Sequence, residues 1–237
     1  MTEIYNYETL EASVSKMGFL PFYKNDIQDF SVEDFTTMEL CDGPWEWKGI
    51  VAGNGNCAYG KLFQGKAGFV NLKWFPDLVN YRRSVYRLNS ATTDESIPEQ
   101  ARMIYNTVVQ HESLLSKEIK SLCGFSNSRK KFSKDDVLGV YEIKGKDKRK
   151  KYGFETLMTY LQMGTWIVIA DFEYNCDKHG RPYGWGIARY TTPEALFCDT
   201  RFLTGNRAPE ESKQRMTDYL MQLLPQATEK QIMKIIG

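Results

Sequence analysis

Histidine is almost missing from this chain. Only His111 and His179 occur among 237 residues, which excludes a histidine-rich metal centre. Any Ser-His-Asp or Cys-His nucleophile pair would have to use one of these two. His111 falls in VVQHESL, near an expected helix end, and His179 in CDKHGRP, an expected turn. A solvated position is the simpler reading of both. No run of about 18 apolar residues exists, so no membrane span is expected. The opening MTEIYNYETLEASVSKMGF has no basic region leading into an apolar core, so no secretory signal is expected either. Five cysteines (Cys41, Cys57, Cys123, Cys176, Cys198) are odd in number and never spaced C-x-x-C. They point to reduced thiols in a cytoplasmic protein, not to a disulfide or zinc framework. P-loop, dinucleotide-binding and kinase patterns are lacking. GNGNCAYGK (53–61) is glycine-rich but lacks the Lys-Ser/Thr ending of a phosphate cradle, and is read as a hairpin turn. No metal and no cofactor is implied. A net charge of +1 supplies no global attraction to nucleic acid.

Aromatic residues are plentiful, at 14 %, and many cluster in DGPWEWKGIVAGNGNCAYGKLFQGKAGFVNLKWFPDLVNYRR (42–83). This stretch reads as short strands and glycine turns closing on a proline-broken helix, with most of its aromatics in a core. Glu46 sits between Trp45 and Trp47, while Arg82 and Arg83 follow the helix. A carboxylate in such company is either a poised acid or base or one half of a structural ion pair.

Downstream, residues 98–114 carry Ala101, Ile104, Tyr105 and Val108 at helical spacing behind Pro98. LLSKEIKSLCGF (114–125) reads as a short helix capped by Ser116, ended by Gly124, and showing Ile119 and Leu122 on one face. Two basic clusters, Arg129–Lys131 and Lys146–Lys151, then flank a hairpin-like middle. They suit either a solvated insertion or a phosphate-contacting loop. Residues 152–165 form a third helix with Phe154, Leu157, Met158 and Leu161 as its apolar stripe, and 166–174 with 183–192 form a hairpin. Helix, short helix, helix, hairpin is the order of a winged helix-turn-helix. The third helix offers Thr156, Thr159 and Tyr160 outward, and the hairpin tip offers Lys178 and Arg181 to phosphates. The tail reads as further helices opened by Pro209 and Thr228, the last bearing Ile232, Ile235 and Ile236.

Three stretches, SKMGFLPFYKNDIQDFS (15–31), CAYGKLFQGKAGFVNLKWFPDLVNYRR (57–83) and the unit through GWGIARYTTPE (185–194), together resemble the AlkZ/YcaQ-type winged-helix DNA glycosylases, and more closely their AlkZ-related branch. That resemblance implies excision of alkylated or crosslinked bases by a Gln-x-Gln or Gln-x-Asp motif that handles water. The motif is expected behind the lead GFL (18–20), where this chain has Pro21, Phe22 and Tyr23. None of these can act as a base near neutral pH. Asp26, Gln28 or Glu46 would have to substitute.

The sequence thus predicts an α+β protein: an aromatic-rich N-terminal α/β domain (1–97), a winged helix-turn-helix (98–193) with a basic insertion at about 126–151, and a C-terminal helical segment (194–237). The leading functional expectation is a nucleic-acid-binding relative of base-excision glycosylases, non-catalytic or catalytically altered, with DNA as the expected partner. Lys148, Arg149, Lys150, Lys151, Thr156, Thr159, Tyr160, Lys178, Arg181, Arg82 and Arg83 are its candidate contacts. Two alternatives are a glycosylase using Glu46 or Asp42, and a regulatory module whose winged unit binds protein.

Overall fold

The computed structural model of the chain describes residues 3–36, 43–88, 96–125, 140–141, 151–198 and 207–237. The first helix, α1 (Tyr7–Met17), starts with a reciprocal cap between Asn6 and Thr9. It stops at Gly18, whose φ of +73° carries the chain into strand β1 (Phe19–Pro21). Only glycine fits at Gly18, because a Cβ there would lie 2.6 Å from the Trp74 ring. A short α2 (Val32–Phe35) is capped by Ser31. Then comes α3 (Pro44–Gly53), where strands were expected. Pro44 sits in its first turn, the Glu46 carboxylate accepts the Gly43 N–H at 3.1 Å, and Trp47 and Val51 share a buried face. These local helix signals outweigh Gly49 and Gly53, which misled the strand reading.

Strands β2 (Cys57–Phe63) and β3 (Lys66–Asn71) form an antiparallel hairpin with β1 on its far edge. The hairpin turns at Gln64 and Gly65, both at positive φ. GNGNCAYGK is therefore a helix-to-strand turn that runs into β2, not the hairpin turn itself. In α4 (Phe75–Val85), Pro76 lies in the first turn, so it starts the helix where a break was expected.

The second half follows the expected order with one addition. Helix α5 (Ser96–His111) buries Ala101, Ile104 and Val108. A strand, β4 (Ser113–Leu115), precedes α6 (Ser116–Leu122). Ser116 does not cap α6. Leu115 holds the cap position, and its N–H donates to the Glu118 carboxylate at 2.7 Å. Ile119 is buried but Leu122 is exposed, correcting the expected two-residue face. Two residue pairs, β5 (Val140–Tyr141) and β6 (Lys151–Tyr152), bond to each other. Helix α7 (Phe154–Met163) and the strands β7 (Val168–Cys176) and β8 (Pro182–Thr191) complete the unit. Its sheet runs in the order β4-β8-β7, all antiparallel.

The short α8 (Pro193–Phe197), α9 (Pro209–Leu223) and α10 (Glu229–Ile236) close the chain. Ile232, Ile235 and Ile236 are buried, so the last apolar face docks on the protein's own core. One cluster of buried side chains extends from Ile4 to Ile236. Asp77 on α4, itself 1 % exposed, accepts from Ser212 and Arg207 at 2.8 Å each and so fastens α9 to α4. The four described cysteines are free thiols. Among the described residues, no helix is long and apolar enough to cross a membrane.

Candidate nucleic-acid interface

The β7–β8 hairpin carries two exposed cations at its tip. Asp177 accepts the backbone N–H groups of His179 and Arg181 at 2.8 and 2.9 Å, and Gly180 takes a φ of +78°. This fixes the tip and leaves Lys178 and Arg181 exposed. Between tip and base the ladder is irregular. Glu173 pairs with Ile187 and Asn175 with Tyr183, so Gly184, Trp185 and Gly186 all stand opposite Tyr174. The bulge turns Trp185 outward, where it is 77 % exposed.

Trp185 meets Trp45 of α3 edge-on, with ring centroids 5.9 Å apart. Trp45 in turn meets Phe22 at 6.0 Å, and Phe22 meets Tyr23 at 5.2 Å. Beneath Trp45 the Lys48 ammonium lies 3.0 Å from its ring centroid and 4.9 Å from that of Phe172. Burial pushes the Lys48 amine down to about 8, against a small upward pull from Glu46. Sequence reading missed Trp185. The available signal was a tryptophan between two glycines inside a strand, which indicates a bulge.

The outward face of α7 is largely occupied. Thr159 accepts from the Lys61 ammonium at 3.3 Å, and the Tyr160 hydroxyl donates to the Arg87 carbonyl at 2.7 Å. Gln162, fully buried, accepts the Lys61 N–H at 3.0 Å. Thr156 alone of the three nominated positions is exposed. It neighbours Glu155, whose carboxylate lies 3.1 Å from Lys120 and 3.8 Å from Lys61.

Arg82 cannot meet a phosphate, contrary to expectation. It is 0 % exposed and donates to the carbonyls of Ile236, Ile235 and Met163 at 2.7, 3.0 and 3.1 Å. Its aliphatic neighbours on α4 turn that face into the core, and the carbonyl ends of α7 and α10 need donors there. Arg83 also points inward, pairing with Glu194 at 2.5 Å and donating to the Thr165 carbonyl at 3.0 Å. Lys148, Arg149 and Lys150 lie outside the described residues, and Lys151 is placed only by its backbone pairing with Tyr141.

Of the two carboxylates considered for catalysis, Asp42 lies outside the described residues and Glu46 is an exposed helix cap. At the position where the motif was expected, Pro21 belongs to β1 and Phe22 is only 4 % exposed. Burial raises the Tyr23 phenol above its ordinary pKa, further from service as a base. The cleft lined by Pro21, Tyr23, Asp26 and Lys66 measures about 70 Å³, well below the roughly 300 Å³ at which ligand pockets begin. Asp26 there is drawn below its usual range by a hydrogen bond from Lys234 at 2.5 Å. No group of three or more potential metal ligands occurs among the described residues.

These features define an α+β protein with a cation-tipped hairpin beside an aromatic row. The chain belongs to the AlkZ-related family, whose sequence profile matches residues 4–237. That family is named for its relation to the AlkZ glycosylases. No curated protein and no solved structure matches the chain significantly.

Proposed function

We propose that the protein binds DNA through a winged helix-turn-helix spanning 98–193, between an N-terminal domain (1–97) and a helical tail (194–237), and that it does not excise bases. Support for the winged unit comes from the order α5, β4, α6, α7, β7, β8 and from the β4-β8-β7 sheet, in which the first strand joins the hairpin. With much of α7 engaged by β2 and Lys61, the hairpin and the basic insertion are the contact elements. The observation that carries the non-excising half is the buried Phe22 at the place of the family's motif. A phenyl ring held in the core can neither orient water nor stabilise charge developing on a sugar.

Binding is tested by titrating labelled duplex at several salt concentrations. Reversing Lys178 and Arg181 to Glu, or Lys148, Arg149, Lys150 and Lys151 to Glu, is expected to weaken binding and flatten its salt dependence by about one unit of slope per lost phosphate contact. Unchanged affinity in either variant removes that segment from the interface. Absence of binding by the unaltered protein would instead favour a protein-interaction role.

A further inference from the structure

We propose that Trp185, backed by Trp45, is a stacking platform for an unpaired nucleobase. This rests on the nucleic-acid reading above but names a different substrate: a base freed from its pair, not an intact duplex. A large apolar ring set 77 % in solvent, on a strand rather than a loop, forgoes the burial that normally stabilises tryptophan. The local backbone holds it there. Gly184 takes a φ of +76°, and a Cβ on Gly186 would come within 3.0–3.2 Å of Tyr174 and Phe172. Gly184 thus supplies the left-handed residue of the three-against-one bulge, and a side chain at Gly186 would crowd the rings beside it.

The partner ring is equally set. Trp45 is gripped by Lys48 at 3.0 Å and by the edge of Phe22, leaving it 39 % exposed beside Trp185. The perpendicular Trp45–Trp185 pair, at 88°, leaves broad indole surface uncovered. Aromatic faces bind bases without regard to sequence, and cations nearby follow the strand's phosphates. Lys178 and Arg181, at the tip of the same hairpin, supply those cations. Phe22 and Tyr23, which stand where the family's water-handling motif is expected, are the inner end of this aromatic row. The row thus links that position to the outward-facing indole, so the site that elsewhere acts on a base here offers it a surface.

The test compares a single-stranded oligonucleotide, a matched duplex, and a duplex with one unpaired base, using the unaltered protein, Trp185→Ala and Trp185→Phe. The unaltered protein is expected to prefer the two substrates with unpaired bases. Trp185→Ala should lose about fivefold or more of that affinity, with matched-duplex binding unchanged, and Trp185→Phe should keep most of it. Indole emission should be quenched by the single strand, less so in Trp185→Phe. Equal affinities of Trp185→Ala and the unaltered protein for unpaired substrates would overturn the platform while leaving DNA binding intact. An equal loss on all three substrates would also overturn it, as a general backbone contact. Failure of every substrate to bind overturns both this inference and the reading beneath it.

Discussion

Lys48 and Arg82 are both buried cations, yet they differ in what surrounds them. Arg82 faces three carbonyl oxygens and closes the ends of α7 and α10. Burial lowers it only to about 10, so it stays charged at neutral pH. Arg82→Met should cost roughly 3 kcal/mol or more, since three buried carbonyls lose their donors. A denaturant melt showing a loss within ~0.5 kcal/mol would mean that water replaces the guanidinium. Lys48, 3 % exposed, has ring faces for neighbours. Its amine gives up its proton at about 8 in the fold but at 10.5 when unfolded. Between those values the unfolded chain binds more protons, so stability rises with pH across that window, and below it the burial penalty is fully present. Lys48→Met should therefore stabilise the protein at pH 7, by up to about 3 kcal/mol, and the advantage should shrink toward pH 10.5. Melting curves of both proteins across pH 7–10 check this. A gap independent of pH would show that cation–π attraction keeps the amine charged.

At the scale of elements, α7 shows what the sequence made legible. Its stripe of Phe154, Leu157, Met158 and Leu161 is buried as the spacing predicts. Leu161→Ala should cost about 2–5 kcal/mol in a denaturant melt, and a loss under ~1 kcal/mol would mean that the site collapses around the smaller side chain. Thr159→Ala, by contrast, loses one part-exposed bond from Lys61 and should cost about 1 kcal/mol or less. The outer face of α7 was not legible, because Lys61 and Gly65 reach it across nearly a hundred residues. Periodicity identifies a helix's apolar side and says nothing of what covers the other. The start of α6 misled for a local reason: Ser116 and Glu118 both offer a cap, and the carboxylate reaches one residue further back. Helix α3 was obscured by glycines that a run of neighbouring helix signals tolerates. The bulge at Gly184–Gly186 depends on strand register, which the sequence alone leaves open.

For the whole molecule, family membership and the residues at the expected motif position pull in opposite directions. The AlkZ-related profile spans 4–237, and the winged-helix order proposed here suits a DNA-binding chain. The position expected to handle water holds Pro21 and a buried Phe22, and the adjoining cleft, about 70 Å³, is small beside the roughly 300 Å³ of ordinary ligand pockets. Glu46 is the carboxylate placed nearest the aromatic row by sequence, and one of its oxygens accepts the Gly43 N–H at the start of α3. The most direct measurement is abasic-site formation on a duplex carrying an N-alkylated purine, at protein concentrations where binding is shown in the same tube. Bound DNA with no abasic sites above the protein-free control is expected. Abasic sites that accumulate with the unaltered protein, and vanish with Glu46→Gln, would contradict it and identify a glycosylase with a relocated carboxylate.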